Sequence, residues 1–207
     1  MRSLGQAFAI DIVRTSARET PPKIGWGLRQ APAEEFSSFG EVVCAAESGT
    51  VVGVHGRRRD HRARSTWLGI IFMLTIEALC REIGGPRFIL GNHVVIEHAD
   101  GSYAAYAHLR QGSLTVGPGT SVTTGQPIGT VGNSGNSSEP HLHFQLMDRP
   151  QPSRAAGLPF RWRDITIEPV PDPRWTTSTE SQSSREPQSI VEGLPGTGQV
   201  FRTTRPT

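Results

Sequence analysis

The sequence predicts an all-β domain of mainly antiparallel sheets, β-sandwich-like in architecture, with one inserted α-helix. Short segments of alternating apolar residues, bounded by glycine-rich turns, recur along the chain and are typical of antiparallel strands. One segment, residues 67–83, has apolar residues at helical spacing and ends at a Gly-Gly-Pro stop. A chain of 207 residues with 35% hydrophobic content is long enough for one domain with a sizeable core.

We expect this domain to cover residues 1–170, with a helical insertion at about 57–90, and residues 171–207 to form a flexible tail. The tail is predicted from its composition, which is rich in Ser, Thr, Pro and Glu. Val191–Phe201 is more apolar and is the part of the tail that could return to pack. Ahead of the tail, Asp164–Glu168 is predicted as an edge strand.

Composition excludes some classes of protein. A formal charge of +2 with scattered arginines argues against nucleic-acid binding, and the triplet Arg57–Arg59 is interpreted as a solvated loop. No apolar signal-peptide core follows Met1, and the apolar run Trp67–Ile76 is shorter than the ~20 residues of a membrane-spanning helix. The sequence leaves open whether Cys44 and Cys80 form a disulfide or are buried thiols.

The first strands are predicted from alternation. In Gly5–Val13 the larger apolar residues share one face, and Asp11 lies among small residues on the other. Val42–Ala46 and Val51–Val54 are predicted to form a hairpin that turns at Ser48-Gly49.

A second hairpin is predicted from Val94–Glu97 and Tyr103–Leu109, with its turn at Asp100-Gly101. Regular alternation puts Tyr106 and His108 on the same face of the second strand.

The stretch Gly129–Gln145, GTVGNSGNSSEPHLHFQ, contains the strongest chemical signal. If the end of this stretch is a strand, His141 and His143 share one face and Leu142 and Phe144 share the other. Two imidazoles that point into one space suit a metal ligand beside a general base. Taken alone, the same pattern also fits two half-buried strand histidines.

Two upstream blocks accompany this motif: GNHVVIEHADGSYAAYAHL (Gly91–Leu109) and VGPGTSVTTGQPIGTVG (Val116–Gly132). Together with PHLHF they resemble, in order and spacing, the lysostaphin-type (LytM-like) zinc metallopeptidases of peptidoglycan, over Phe39–Met147 with one insertion. The resemblance implies the duplicated hybrid motif fold, a Zn²⁺ cofactor, hydrolysis of peptidoglycan peptide cross-links, and an extracytoplasmic or cell-wall location.

The resemblance also implies a role for each site residue. Asp11 and His143 correspond to metal ligands, and His141 corresponds to the general base. His108 corresponds to a second active-site histidine that hydrogen-bonds the attacking water or the developing oxyanion.

The chain departs from the family at one position. The family has a zinc-binding histidine a few residues before the aspartate, whereas residues 1–10 contain none. Either that histidine lies upstream of Met1, or the site has lost a ligand. His55 or His61 could supply an unexpected third ligand if the insertion folds back. A second hypothesis follows: a zinc-free relative that binds cell-wall peptide or a partner hydrolase.

Overall fold

The structure is a computed structural model, which describes residues 5–14, 30–64, 66–67, 71, 86–168, 188–195 and 199–203. It divides the chain into two compact units, Met1–Leu158 and Pro159–Thr207. The first unit ends at Leu158, whereas the sequence predicts that the domain ends at residue 170. Among the described residues, no helix is both long and apolar enough to cross a membrane.

Strands dominate both units. The first unit contains β1 (Ile10–Ile12), β2 (Val42–Cys44), β3 (Gly49–His55), β4 (Asn92–Glu97), β5 (Tyr103–Leu109), β6 (Ser121–Val122), β7 (Pro127–Thr130), β8 (Leu142–Met147) and β9 (Gly157–Leu158). Its described helical elements are a 3₁₀ helix, Ala33–Glu35, and helix α1, Pro86–Leu90. The second unit contains β10 (Trp162–Ile167), β11 (Gln188–Gly193) and β12 (Phe201–Thr203).

A seven-stranded antiparallel sheet forms the body of the first unit. Its strand order is β1-β8-β5-β4-β3-β6, with β9 also pairing with β8, and β2 pairs separately with β7. The predicted all-β class is therefore confirmed. The predicted helix 67–83 lies outside the described residues, apart from Trp67 and Ile71. Helix α1 lies inside the predicted insertion.

The second predicted hairpin is confirmed, because β4 and β5 pair through the turn at Asp100-Gly101. Gly101 has φ +79°, a conformation that glycine adopts without a side-chain clash. The Asp100 carboxylate accepts hydrogen bonds from both the backbone N–H and the hydroxyl of Ser102. This capped turn fixes the register of the strand that carries His108.

The first predicted hairpin is wrong. β2 pairs with β7, while β3 pairs with β4 and β6. Between β2 and β3 the chain passes from one sheet to the other, and hydrogen bonds hold it in that crossing. The backbone of Ala45 bonds to Gly125 and Gln126, and the N–H of Ala46 donates to the hydroxyl of Tyr106 at 2.8 Å. Alternation predicted the strands but not their partners. Cys44, at the end of β2, is a free thiol.

The core of the first unit consists of large apolar side chains, and the fully buried ones include Tyr106, Ile96, Leu109, Ile128 and Met147. Each such side chain contributes about 1.5–3 kcal/mol when it leaves water. The rings of Tyr106 and Phe144 pack edge to face with centroids 5.2 Å apart. This contact holds β5 against β8, the strands that contain His108 and His143.

The second unit contains a three-stranded sheet in the order β11-β10-β12. The segment Asp164–Glu168, predicted as an edge strand, overlaps β10, which is instead the central strand. Its Ile165 is buried and lies opposite Ile190 of β11. Strands β11 and β12 fall within the residues predicted as a tail. Their apolar residues are few and lie among many polar ones, so composition alone does not indicate a strand.

Candidate metal centre

Strand pairing brings Asp11 to the histidine motif. In the antiparallel pair of β1 and β8, Asp11 lies directly opposite His143, so the two side chains share one face. The Asp11 Oδ1 atom is 2.8 Å from Nδ1 of His143 and 3.5 Å from Nε2 of His141. The carboxylate is 61% exposed, whereas both rings are 11% exposed, so the acid lies at the solvent side of the cluster.

His108 also lies beside His141 and His143, although regular alternation along β5 predicts that it faces the other side of the sheet. Tyr106 lies opposite Phe144, on the face of β8 away from His143. Regular alternation would put His108 on that face with Tyr106. Instead, the centroid of the His108 ring is 4.7 Å from that of His141 and 5.7 Å from that of His143.

A β-bulge explains this position. Asn92 pairs with Leu109 and Val94 pairs with Tyr106, so one residue of β4 faces two residues of β5. His108 lies in the bulge with φ +59°, a left-handed conformation that is unusual for a residue with a side chain. Bulges beside functional sites commonly turn a side chain to the other face. The prediction that Tyr106 and His108 share a face is therefore wrong.

Backbone carbonyls fix the tautomers of His108 and His141. Nδ1 of His108 is 2.8 Å from the carbonyl oxygen of Ser134, and Nδ1 of His141 is 2.7 Å from that of Glu139. A carbonyl oxygen only accepts, so both Nδ1 atoms carry the hydrogen and donate it. Each ring, when neutral, therefore keeps its Nε2 atom as an acceptor.

A buried amide orients His143. Nε2 of His143 is 3.0 Å from Oε1 of Gln145, whose amide nitrogen lies 2.9 Å from the sulfur of Met147. When the ring is neutral and its Nε2–H donates to this oxygen, Nδ1 keeps its lone pair and faces the carboxylate of Asp11 at 2.8 Å. Two acceptors that face each other at this distance suit a shared cation. Sequence reasoning missed Gln145.

The protonation equilibria follow from these contacts. Partial burial raises the pKa of Asp11, but the hydrogen bonds and positive charge that His141 and His143 offer when protonated outweigh it and hold this pKa well below its usual range. Burial lowers the pKa of His141, but the hydrogen bond and the charge of Asp11 outweigh it, so the pKa is raised. Burial and repulsion from the two other rings put the pKa of His108 well below its usual range, so this ring is neutral.

The donor set fits zinc. In the described part of the chain, potential ligand nitrogens of His108, His141 and His143 lie within 4.8 Å of one another. Imidazole nitrogen and carboxylate oxygen are ligands that Zn²⁺ takes in proteins. The structure does not bring His55 or His61 into this group.

The fold and the site together define a class of protein: an all-β domain with a carboxylate–histidine cluster of the kind that holds zinc. Residues 81–155 match Peptidase family M23. These residues are therefore similar to that family, and the predicted resemblance is confirmed. The matched residues include His108, His141 and His143 but not Asp11.

The chain is also similar to individual proteins. It is 42% identical over 72 residues to the peptidoglycan DD-endopeptidase ShyA of Vibrio cholerae, covering 34% of this chain and 16% of that protein. It is 45% identical over 128 residues to the cell division protein DipM of Caulobacter vibrioides, covering 62% of this chain and 18% of that protein. The chain thus spans less than a fifth of either relative.

Among solved structures, the fold is similar to the catalytic domain of the antimicrobial peptidase lysostaphin from Staphylococcus simulans. That similarity has a TM-score of 0.38 at 23% identity and covers 63% of this chain and 86% of the lysostaphin domain.

Proposed function

We propose that the chain is a zinc metalloendopeptidase that hydrolyses peptide cross-links of bacterial peptidoglycan. The convergence of the Asp11 carboxylate with His108, His141 and His143 carries the proposal. Asp11 and His143 would hold the metal. Zinc, when bound, supplies a Lewis acid and lowers the pKa of water towards ~7.

His141 acts as the general base. Its Nε2 atom is an acceptor because the Nδ1–H donates to the carbonyl of Glu139. It takes the proton of the attacking water and later delivers this proton to the leaving amine. The nearby charge of Asp11 raises the pKa of His141, so the ring can hold a proton between these two transfers.

His108 orients the attacking water. Its ring is neutral and donates Nδ1–H to the carbonyl of Ser134, so Nε2 can accept a hydrogen bond from the water. Stabilising an oxyanion would require a donor at Nε2. Of the two roles implied by the family resemblance, this protonation state supports the first.

The relatives support the proposed substrate class. The name of ShyA describes a peptidoglycan DD-endopeptidase, and the lysostaphin resemblance implies short Gly- or D-Ala-containing peptide bridges. Such a substrate places the activity in the extracytoplasmic space or cell wall.

The test separates metal binding from catalysis. In a chain with a complete set of zinc ligands, we expect His141→Ala to retain zinc and to slow hydrolysis by roughly 10²–10⁴-fold, the usual contribution of a general base. We expect His143→Ala to lose both zinc and hydrolysis. Zinc content is measured by atomic absorption, and hydrolysis by new amino termini released from purified sacculi. His93→Gln serves as the control, since His93 lies outside the histidine cluster. The reverse pattern between the two alanine variants would overturn the role assignment.

A second candidate function is that of a zinc-free module that binds cell-wall peptide or a partner hydrolase. The absence of histidine from residues 1–10 supports it, as does similarity to a relative named as a cell division protein. For the chain as given, the same absence predicts zinc affinity well below that of a complete site. Co-sedimentation with sacculi that is unchanged by a chelator, without release of amino termini, would favour this candidate. Zinc-stimulated release would exclude it.

A further inference from the structure

One loop, residues 132–139, holds both of the histidines proposed to act on water. We call it the histidine loop. The carbonyl of its Ser134 accepts the Nδ1–H of His108, and the carbonyl of its Glu139 accepts the Nδ1–H of His141. The loop is rich in Gly, Asn and Ser, which favour several local conformations. Contacts from elsewhere must therefore select one conformation.

Residues 57–64, which we call the bracing segment, supply such contacts. The Oδ1 atom of Asp60 accepts the backbone N–H of Asn133 at 2.8 Å. The backbone N–H of Arg64 donates to the carbonyl of Ser138 at 2.7 Å. The segment thus holds both ends of the loop. It also lies outside the residues 81–155 that match the peptidase family.

His61 fixes the middle of the histidine loop. Its backbone N–H donates to the carbonyl of Asn133 at 3.1 Å, and its ring Nε2 is 3.0 Å from the carbonyl of Gly135. Because that carbonyl only accepts, Nε2 of His61 carries the hydrogen. His61, which the sequence suggested as a metal ligand, instead binds the backbone of the loop.

Arg64 connects the bracing segment to the general base. It is 9% exposed, and its guanidinium donates to the carbonyl of Ser137. The hydroxyl of Ser137 donates to the carbonyl of Glu139 at 2.7 Å and lies 3.2 Å from Nδ1 of His141. Burial of a guanidinium is costly, so its hydrogen bonds must hold it in one place. Its bond to Ser137 fixes the turn that orients the His141 ring.

We propose that the bracing segment positions the two active-site histidines, with Arg64 as a positioning residue that acts on His141 through Ser137. The inference rests on the proposed function for its catalytic meaning. The positioning itself can be measured without substrate.

The test measures solvent exchange of histidine ring N–H protons by NMR in the full chain. Arg64→Met removes the guanidinium but keeps an unbranched side chain, and we expect the Nδ1–H of His141 to exchange roughly tenfold faster. Arg64→Lys retains a donor for Ser137 and should restore slow exchange. In parallel, we expect kcat on sacculi to fall roughly tenfold with KM unchanged, since small misplacement of a catalytic group is costly.

Controls separate positioning from general loosening. Arg62→Met removes a guanidinium that bonds to the carbonyl of Gln30 and should leave the His141 ring unchanged. The ring of His98, whose Nδ1 is 3.0 Å from the carbonyl of Ser48, reports on the rest of the fold. Unchanged exchange at His141 in Arg64→Met, or equally faster exchange at His98, would overturn the proposal.

A second variant keeps the test decisive if Arg64→Met does not fold. Asp60→Asn weakens the bond to Asn133 at the other end of the loop, and faster exchange at the His108 Nδ1–H is expected. Unchanged exchange there would contradict the proposal. If the unsubstituted chain does not hydrolyse sacculi, the proposed function fails, while the ring exchange still decides the role of the bracing segment.

Discussion

Gln145 is the residue whose contribution to the metal centre is easiest to isolate. It is fully buried, two positions after His143 on the same face of β8, and its Oε1 accepts the Nε2–H of that ring. Partners of this kind fix the tautomer of a metal-binding histidine and raise its basicity.

We predict that Gln145→Met lowers zinc affinity by about 10–100-fold, the usual effect of losing such a partner. The methionine fills similar volume but offers no strong acceptor, so His143 is free to place its hydrogen on Nδ1. Competition with a fluorescent zinc chelator measures the affinity. Gln145→Glu keeps an acceptor at the same position and should stay close to the unsubstituted chain.

Met147→Leu is the matched control for packing, because it removes the sulfur beside the amide but leaves Gln145 in place. If this control lowers zinc affinity as much as Gln145→Met does, the effect comes from packing and the tautomer argument fails.

Sequence reasoning at the residue scale found part of this site. Alternation in HLHFQ placed His141 and His143 together, and the resemblance added Asp11 and His108. The same alternation puts Gln145 on the face of His143. It was missed because glutamine is not a metal ligand, so only its contact with the ring reveals its role.

At the scale of elements, the bulge in β5 could not be predicted. Nothing in AAYAHL marks an extra residue, since the bulge depends on how β4 pairs with β5. The carbonyl of Leu109, just after the bulge, accepts hydrogen bonds from the side chains of Asn92 and Ser134. These partners are distant in sequence, so a local pattern cannot encode them.

The role of the bracing segment could not be predicted from sequence for a similar reason. Its sequence is RRRDHRAR, of which the triplet Arg57–Arg59 is interpreted as a solvated loop. Its Asp60, His61 and Arg64 bind backbone groups of another loop, and a backbone group carries no sequence signal. Arg58 stacks instead on an aromatic ring, with its guanidinium carbon 4.5 Å from the centroid of Phe88.

The junction between α1 and β4 makes a second contact with the histidine loop. Gly91 has φ +61°, and a Cβ atom there would lie 2.5 Å from the carbonyl carbon and oxygen of Ser134. Gly101 has φ +79° with open space around it. Both glycines therefore have a left-handed backbone conformation, but only Gly91 lies close to another part of the chain.

We predict that Gly101→Ala destabilises the fold by about 1–2 kcal/mol, the cost of a left-handed backbone for a residue with a Cβ atom. Gly91→Ala should cost about 1–3 kcal/mol more, because the added carbon overpacks against Ser134. Urea unfolding followed by circular dichroism measures both. Equal destabilisation of the two variants would contradict the close approach.

At the scale of the whole molecule, the chain separates into two units: the first ends at Leu158 and the second begins at Pro159. The described contacts of the candidate metal centre all lie within the first unit. The second unit could not be predicted from sequence. Its strands β11 and β12 contain few apolar residues and lie in a polar segment, so the alternation pattern is weak.

We predict that a chain ending at Leu158 keeps its antiparallel β-sheet signal and the zinc affinity of the full chain. The reason is that its metal-site contacts and core side chains belong to the first unit. Circular dichroism and chelator competition check the two properties. Loss of zinc affinity with an intact β-sheet spectrum would show that the second unit contributes to the site.

The short pairing between β1 and β8 has a mechanical consequence. The three-residue register of Ile10, Asp11 and Ile12 holds the acid opposite its imidazole partner, and this strand is at the end of the sheet order. We expect a pulling force on the amino terminus to separate β1 from β8 before it disrupts the central strands. If the site holds zinc as proposed, retention of the ion would depend on tension along the leading segment of the chain.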